Sequence, residues 1–204
     1  METLNRYMQD LSRTNFVTAS CDASMNTRQM PLTDSYRVNP KLAQITDYAC
    51  TRSDNIDASS PLYGEVRLTH NNPYPLAVGV HTAVGGESDY PTPGDILCGA
   101  LAACLDSTIR IIANKLSVEL LDLSVSVTAE IDVRGTLRVD DDVPVGFQNI
   151  AIHTDIKTAA GVDKNLMVQL LKAAEYSCVI VQTLRNAPDI AITSDLRCED
   201  AAAA

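Results

Sequence analysis

The run "LLDLSVSVTAEIDVRG" limits the possible folds more than any other stretch of the chain. Val125, Val127, Ala129, Ile131 and Val133 alternate with Ser124, Ser126, Thr128, Glu130 and Asp132. Side chains of a strand point alternately to its two faces, so this run predicts a strand with one dry and one wet side. Such a strand belongs to an antiparallel sheet, because parallel sheets are covered on both faces. After the connection "RVDDDVPVGF", the segment "QNIAIHTDIKT" alternates again through Ile150, Ile152, Thr154 and Ile156.

Two helices are expected beside these strands. "GDILCGALAACLDSTIRIIANKL", residues 94–116, is apolar around most of its first half. Pro93 suits a first helical turn, and Asp95 favours the positive end of the helix. "GVDKNLMVQLLKAAEYSCVIVQTLR" reads as one long second helix with Asp163 as its N-cap, stopped by "NAPD" and followed by a short strand, "IAIT". Upstream, "GEVRLTH" and "PLAVGVHTAV" read as strands separated by the turn "NNPY". The order β-β-α-β-β-α-β groups strands on either side of each helix, which predicts an α+β fold.

Residues 1–60 lack this regularity. "LNRYMQDL" suits a short amphipathic helix and "KLAQITDYAC" another helical turn, with polar, aperiodic sequence between them. We therefore expect an arm over residues 1–60 and a domain over 61–204.

Composition excludes several classes of function. With 46% hydrophobic residues but no Trp and two Phe, the core must be aliphatic. A net charge of −10 argues against nucleic acid and anionic membrane surfaces as partners. No continuous apolar run approaches the ~20 residues of a bilayer span, and no signal peptide is visible, so a cytoplasmic location is expected. There the six cysteines should be reduced. They form no CxxC pair and the His residues at 70, 81 and 153 stand apart, so no zinc site is expected.

Periodicity puts one cysteine on each helical stripe. Leu97, Ala100, Leu101, Cys104, Thr108 and Ile112 make the first; Met167, Leu171, Ala174, Cys178 and Val181 make the second. Buried cysteine commonly behaves as a small hydrophobe, so both fit an inert core. Two closely crossing helices with small residues at the contact would also bring Cys104 and Cys178 within disulfide reach. Cys98 lies about 120° from the first stripe, near the helix start, and competes as a nucleophile. Cys21, Cys50 and Cys198 carry no assignment.

"GGESDYPTPGDILCGALAACLDSTIRIIA", with "AAEYSCVIVQTLR" downstream, resembles the OsmC/Ohr family of hydroperoxide-reducing proteins over roughly residues 64–193. The shared pattern is a Gly-rich loop, a Pro and an acidic residue, an Ala-rich helix bearing a Cys, and a later helix bearing another. Two positions depart from it. Val179 follows Cys178 where the best-studied members have Pro, and Gly94 stands where the Ohr pattern has Glu.

The resemblance implies an intertwined homodimer, with two long central helices wrapped by antiparallel sheets. Cys104 would be the peroxidatic thiol, Cys178 the resolving one, a small-molecule hydroperoxide the substrate and an external dithiol the reductant, with no cofactor required. A guanidinium would activate the thiolate; Arg67 is the first choice, ahead of Arg37 and Arg52, whereas Arg110 and Arg185 lie beyond their cysteines. His81 could polarise the site or be structural. An OsmC-fold protein that binds an apolar small molecule without redox turnover is the alternative. A hot-dog thioesterase would share the helix-then-strands pattern, but no acyl-transfer constellation accompanies it.

Overall fold

The computed structural model describes residues 24–69 and 74–197. The helix expected in "LNRYMQDL", the turn at 71–73, His70, Cys21 and Cys198 lie outside the described residues. In chain order the elements are α1 (Met25–Val38), a 3-10 turn (Pro40–Ala43), β1 (Cys50–Thr51), β2 (Gly64–Arg67), β3 (Leu76–Val78) and a second 3-10 turn (Thr82–Val84). They continue with α2 (Pro93–Lys115), β4 (Leu120–Glu130), the single turn α3 (Val133–Thr136), β5 (Asn149–Thr158), α4 (Lys164–Ser177) and α5 (Val179–Arg185). The strands form two antiparallel sheets, β1-β2-β3 and β4-β5. The fold is α+β, as expected.

The alternating run forms β4. Its partner register sets Leu123, Val125, Val127 and Ala129 opposite Ile156, Thr154, Ile152 and Ile150. The alternation ends earlier than expected, because the Asp132 side chain accepts from the Arg134 N–H at 3.0 Å and starts α3. Ile131 is left exposed and Val133 enters that turn.

The helices pack on this hairpin around Leu101, Leu105, Ile109, Ala113, Leu123, Leu170, Ala174, Cys178 and Val181. Leu101, Ile109 and Leu170 are fully buried, each worth about 1.5–3 kcal/mol relative to exposure. On α2 the buried line is therefore rotated from the expected stripe. Leu105, Ile109 and Ala113 are inside, while Cys104 and Ile112 pack at the edge and Ala100 is exposed. Many residues around α2 are apolar, so sequence leaves its inward face open, and contact with β4 and α4 selects it. Thr108, polar on the expected stripe, donates its hydroxyl to the Cys104 carbonyl at 2.7 Å.

By length and composition α2 would also suffice to cross a membrane, although Asp106 and Arg110 interrupt its apolar run. In this fold it is the central helix. It begins in a capping box: the Thr92 hydroxyl accepts from the Asp95 N–H at 3.3 Å, and the Thr92 N–H donates to Asp95 Oδ2 at 2.8 Å. Pro93 occupies the first turn as expected.

The expected strand "PLAVGVHTAV" is shortened to β3. His81 instead opens a 3-10 turn, its Nδ1 accepting from the Ala83 N–H at 2.9 Å. Gly85 closes that turn at φ 93°, and a Cβ at Gly86 would lie 2.0 Å from the Val80 carbonyl oxygen. The small sheet is tied to the approach to α2: Tyr63 stacks edge-on with Tyr90 at 5.9 Å and donates to Asp89 at 3.1 Å.

Three further expectations change. "KLAQITDYAC" gives a 3-10 turn and then β1, which pairs with β2. The stretch before it forms α1, which buries no residue and is fastened to the end of α2 by Met25 N–H to Asn114 Oδ1 at 2.7 Å and Lys115 Nζ to Gln29 Oε1 at 3.0 Å. "IAIT" joins no sheet among the described residues, and Ile190 and Ile192 are exposed.

Candidate active site

The second helix is not continuous. Cys178, fully buried, has extended backbone angles (φ −75°, ψ 111°), ending α4 and starting α5. Gln182 crosses the break: its side-chain amide donates to the Glu175 carbonyl at 3.0 Å, and its N–H to the Cys178 carbonyl at 3.0 Å. A carbonyl that the helix no longer satisfies is thus paired again.

The break places the Cys178 sulfur among three partners. The Cys104 sulfur lies against its thiol, and the backbone of Val181 and Ile180 flanks it from the first turn of α5. Burial pushes the Cys178 thiol up from its ordinary value, and the Cys104 sulfur pushes it further, against the pull of that backbone. Cys178 therefore keeps its proton. Cys104 is half-buried, and its outer side is flanked by exposed Ala100, Ala103 and Ser107. One thiol is sealed and protonated; the other touches it and reaches the surface. Cys98, also half-buried, lies farther up α2.

Arg67 lies elsewhere in the chain. Its Nη2 is 3.1 Å from Glu65 Oε1 and 3.4 Å from Asp54 Oδ2 on the small sheet. Glu65 is buried at 6% exposure and accepts from Asn55 Nδ2 at 3.1 Å; Asn55 first and Arg67 second hold its carboxyl below the ordinary carboxylate range. Arg37, Arg110 and Arg185 each pair with an acid, Asp34 at 3.0 Å, Asp106 at 2.7 Å and Glu175 at 2.6 Å. Asp95 is committed to its capping box, whose backbone and hydroxyl bonds from Thr92 hold its carboxyl low. At Gly94 a Cβ would stand 3.2 Å from Cζ of Phe147, so a side chain there would press on that ring.

The sequence reading left Cys50 unassigned. Register places it directly opposite Arg67, and Tyr48 first, then Arg52 and Arg67, hold its thiol below the ordinary value. The available signal was "YACTR", whose alternation puts Tyr48, Cys50 and Arg52 on one side of an extended chain.

A family model described as OsmC-like protein matches residues 85–193, more than half of the chain. The chain belongs to the OsmC-like family. The matched segment contains Cys104 and Cys178, and ends short of Arg67 and Cys50 on the N-terminal side.

Solved OsmC-like structures share the fold. An organic hydroperoxide resistance protein OsmC from Legionella pneumophila is 23% identical, with a TM-score of 0.52, covering 69% of this chain and 90% of that one. One from Elizabethkingia anophelis, with thiocyanate bound, is 18% identical (TM-score 0.54; 71% and 91% covered). An OsmC-like protein of unknown function from Vibrio cholerae is 8% identical (TM-score 0.56; 69% and 94% covered). No curated protein matches the chain.

Proposed function

We propose that this OsmC-like protein is a thiol peroxidase that reduces organic hydroperoxides through Cys104. The observation that carries the reading is the thiol–thiol contact between Cys104 and Cys178. Cys104 thiolate attacks the distal oxygen of ROOH; the O–O bond breaks, ROH leaves with a proton, and Cys104 becomes a sulfenic acid. Cys178 then condenses with it, releasing water and forming a disulfide, which an external dithiol reduces back to two thiols. A buried thiol that holds its proton suits the resolving role, since it does not compete with Cys104 for the hydroperoxide as a thiolate. The cycle calls for no metal or cofactor and for the reducing conditions of a cytoplasm.

The site is completed in a homodimer. Support comes from the faces left open around it: Ala100 and Ala103 on α2, and Tyr176, Val179 and Leu184 on either side of Cys178, are exposed in the single chain. We assign Arg67 as the guanidinium that steadies the Cys104 thiolate, reaching it across that interface. On this reading residues 61–204 are the catalytic unit and residues 1–60 an arm, joined to it through β1. Activity with cumene hydroperoxide and a dithiol, lost in Cys104→Ser and reduced in Arg67→Ala, tests the assignment; a Cys104→Ser protein of full activity overturns it.

A further inference from the structure

The break at Cys178 runs against the local sequence. Residues 164–185 hold neither Pro nor Gly, and their apolar stripe suits one unbroken helix. In such a helix the Glu175 carbonyl would accept from the N–H of Val179, four residues on. Here it accepts instead from the Gln182 side-chain amide at 3.0 Å, seven residues on. Cys178 accordingly lies at ψ 111° rather than at about −42° as in a helix. Gln182 is firmly seated for this contact. Its N–H donates to the Cys178 carbonyl at 3.0 Å and its carbonyl accepts from the Asn186 N–H at 2.9 Å, so α5 holds its backbone while the side chain reaches back to α4. A second link over the junction, Arg185 to Glu175 at 2.6 Å, is half exposed and screened by solvent, so it weighs less. The amide thus occupies the acceptor through which the helix would otherwise close.

We propose that Gln182 is a positioning residue for disulfide formation: by occupying the Glu175 carbonyl it keeps the helix open at Cys178 and the Cys178 sulfur against that of Cys104. Resting on the peroxidase reading, this role belongs to its second step. There the Cys178 sulfur attacks the sulfur of the Cys104 sulfenic acid; the S–S bond forms as the S–O bond breaks, and the hydroxyl leaves with the thiol proton as water. A disulfide accepts only a narrow range of Cα and Cβ separations, so the backbone angles of Cys178 decide whether the step can occur. Turning its ψ from 111° to the helical value, through roughly 150°, would swing α5 relative to α4 and take the cysteine at their junction out of line with Cys104. Cys104 meets the hydroperoxide from α2, on the other side of the contact, so the first step does not draw on Gln182.

Rapid-quench samples of the reduced full chain mixed with cumene hydroperoxide, read by peptide mass, separate the two steps, because only the first depends on hydroperoxide concentration. Gln182→Ala should leave the first rate unchanged and slow disulfide formation roughly tenfold, the effect of losing one net hydrogen bond. Cys104 sulfenic acid should then accumulate and be trapped by dimedone. Adding Val179→Pro should restore the second rate, since the ring disfavours helical angles at Cys178 and removes the N–H that would close the helix. Closure of the Cys104–Cys178 disulfide by the thiol oxidant diamide should show the same loss and the same rescue with no hydroperoxide present. A protein inert to hydroperoxide would overturn the peroxidase reading, and the diamide rates would then decide the role of Gln182 alone. Equal rates of disulfide formation with and without Gln182, both steps slowed alike, or no recovery on adding Val179→Pro overturns the proposal.

Discussion

The Cys178 thiol lies against the Cys104 sulfur at the junction where α4 stops and α5 begins. The contact and the break belong together, because the extended backbone at Cys178 sets the next turn beside its own sulfur. Family members with Pro after this cysteine would have the junction imposed by the ring, which disfavours helical geometry at the preceding residue. Here Gln182 does the equivalent work by taking the Glu175 carbonyl.

Val179→Pro should therefore be accepted. Position 179 is the first residue of α5, where the fixed φ of Pro suits the helix and its missing N–H has no intrahelical partner. The expected change in stability is between zero and about +1 kcal/mol, with peroxidase turnover retained. Urea unfolding measures the first and a coupled dithiol assay the second; a loss of more than about 1 kcal/mol would mean that the break does not have the geometry described.

Removing the cap of α2 should weaken the central helix. Thr92→Ala deletes the hydroxyl that serves the Asp95 N–H and carboxylate, a loss of about 0.5–2 kcal/mol. The urea midpoint should fall with an unchanged slope, because the buried surface is the same. A stability equal to that of the unaltered protein would contradict the capping box.

Acid should act first on the small sheet. Glu65 is held below its unfolded value, roughly 4.3, by Asn55 and then Arg67. A depressed carboxyl contributes stability that is complete above the unfolded value and is lost as pH falls through the folded one. Amide exchange in β2 and β3 should thus accelerate below about pH 4 before exchange in α2 does, and Glu65→Gln should remove that pH dependence. Simultaneous acceleration in both regions would place the acid-sensitive group elsewhere.

The layered α+β arrangement was legible because β4 and β5 carry a period of two on one wet and one dry face. The inward face of α2 was not, since Leu, Ile, Ala and Cys surround much of it and only docking on β4 and α4 chooses between them. The break at Cys178 left no local mark: no Pro or Gly announces it, and the side chain that stabilises it is a Gln in the following helix. Cys104 and Cys178 were found from their stripes and from the family pattern. Cys50 was missed because its surroundings come from a cross-strand pairing, with Arg67 far along the chain, and a two-residue strand gives periodicity little to work with. "IAIT" has strand-like composition, but composition supplies no edge to join.

The two thiols of the core should fail in different ways. With Cys178→Ser, one equivalent of hydroperoxide should leave Cys104 as a trappable sulfenic acid, with no disulfide and turnover lost. With Cys104→Ser, Cys178 should stay reduced, because its surroundings keep it protonated and sealed. Dimedone labelling with peptide mass analysis separates the cases, and dimedone on Cys178 in the second variant would reverse the two roles.

The measurement that bears most directly on the account is a titration of the reduced protein with cumene hydroperoxide, following free thiols and mapping the product by mass spectrometry. The account expects rapid formation of a Cys104–Cys178 disulfide with the first equivalent, reversed by a dithiol. A Cys104 that remains a free thiol in excess hydroperoxide would contradict it, and would leave the sulfur contact as packing alone.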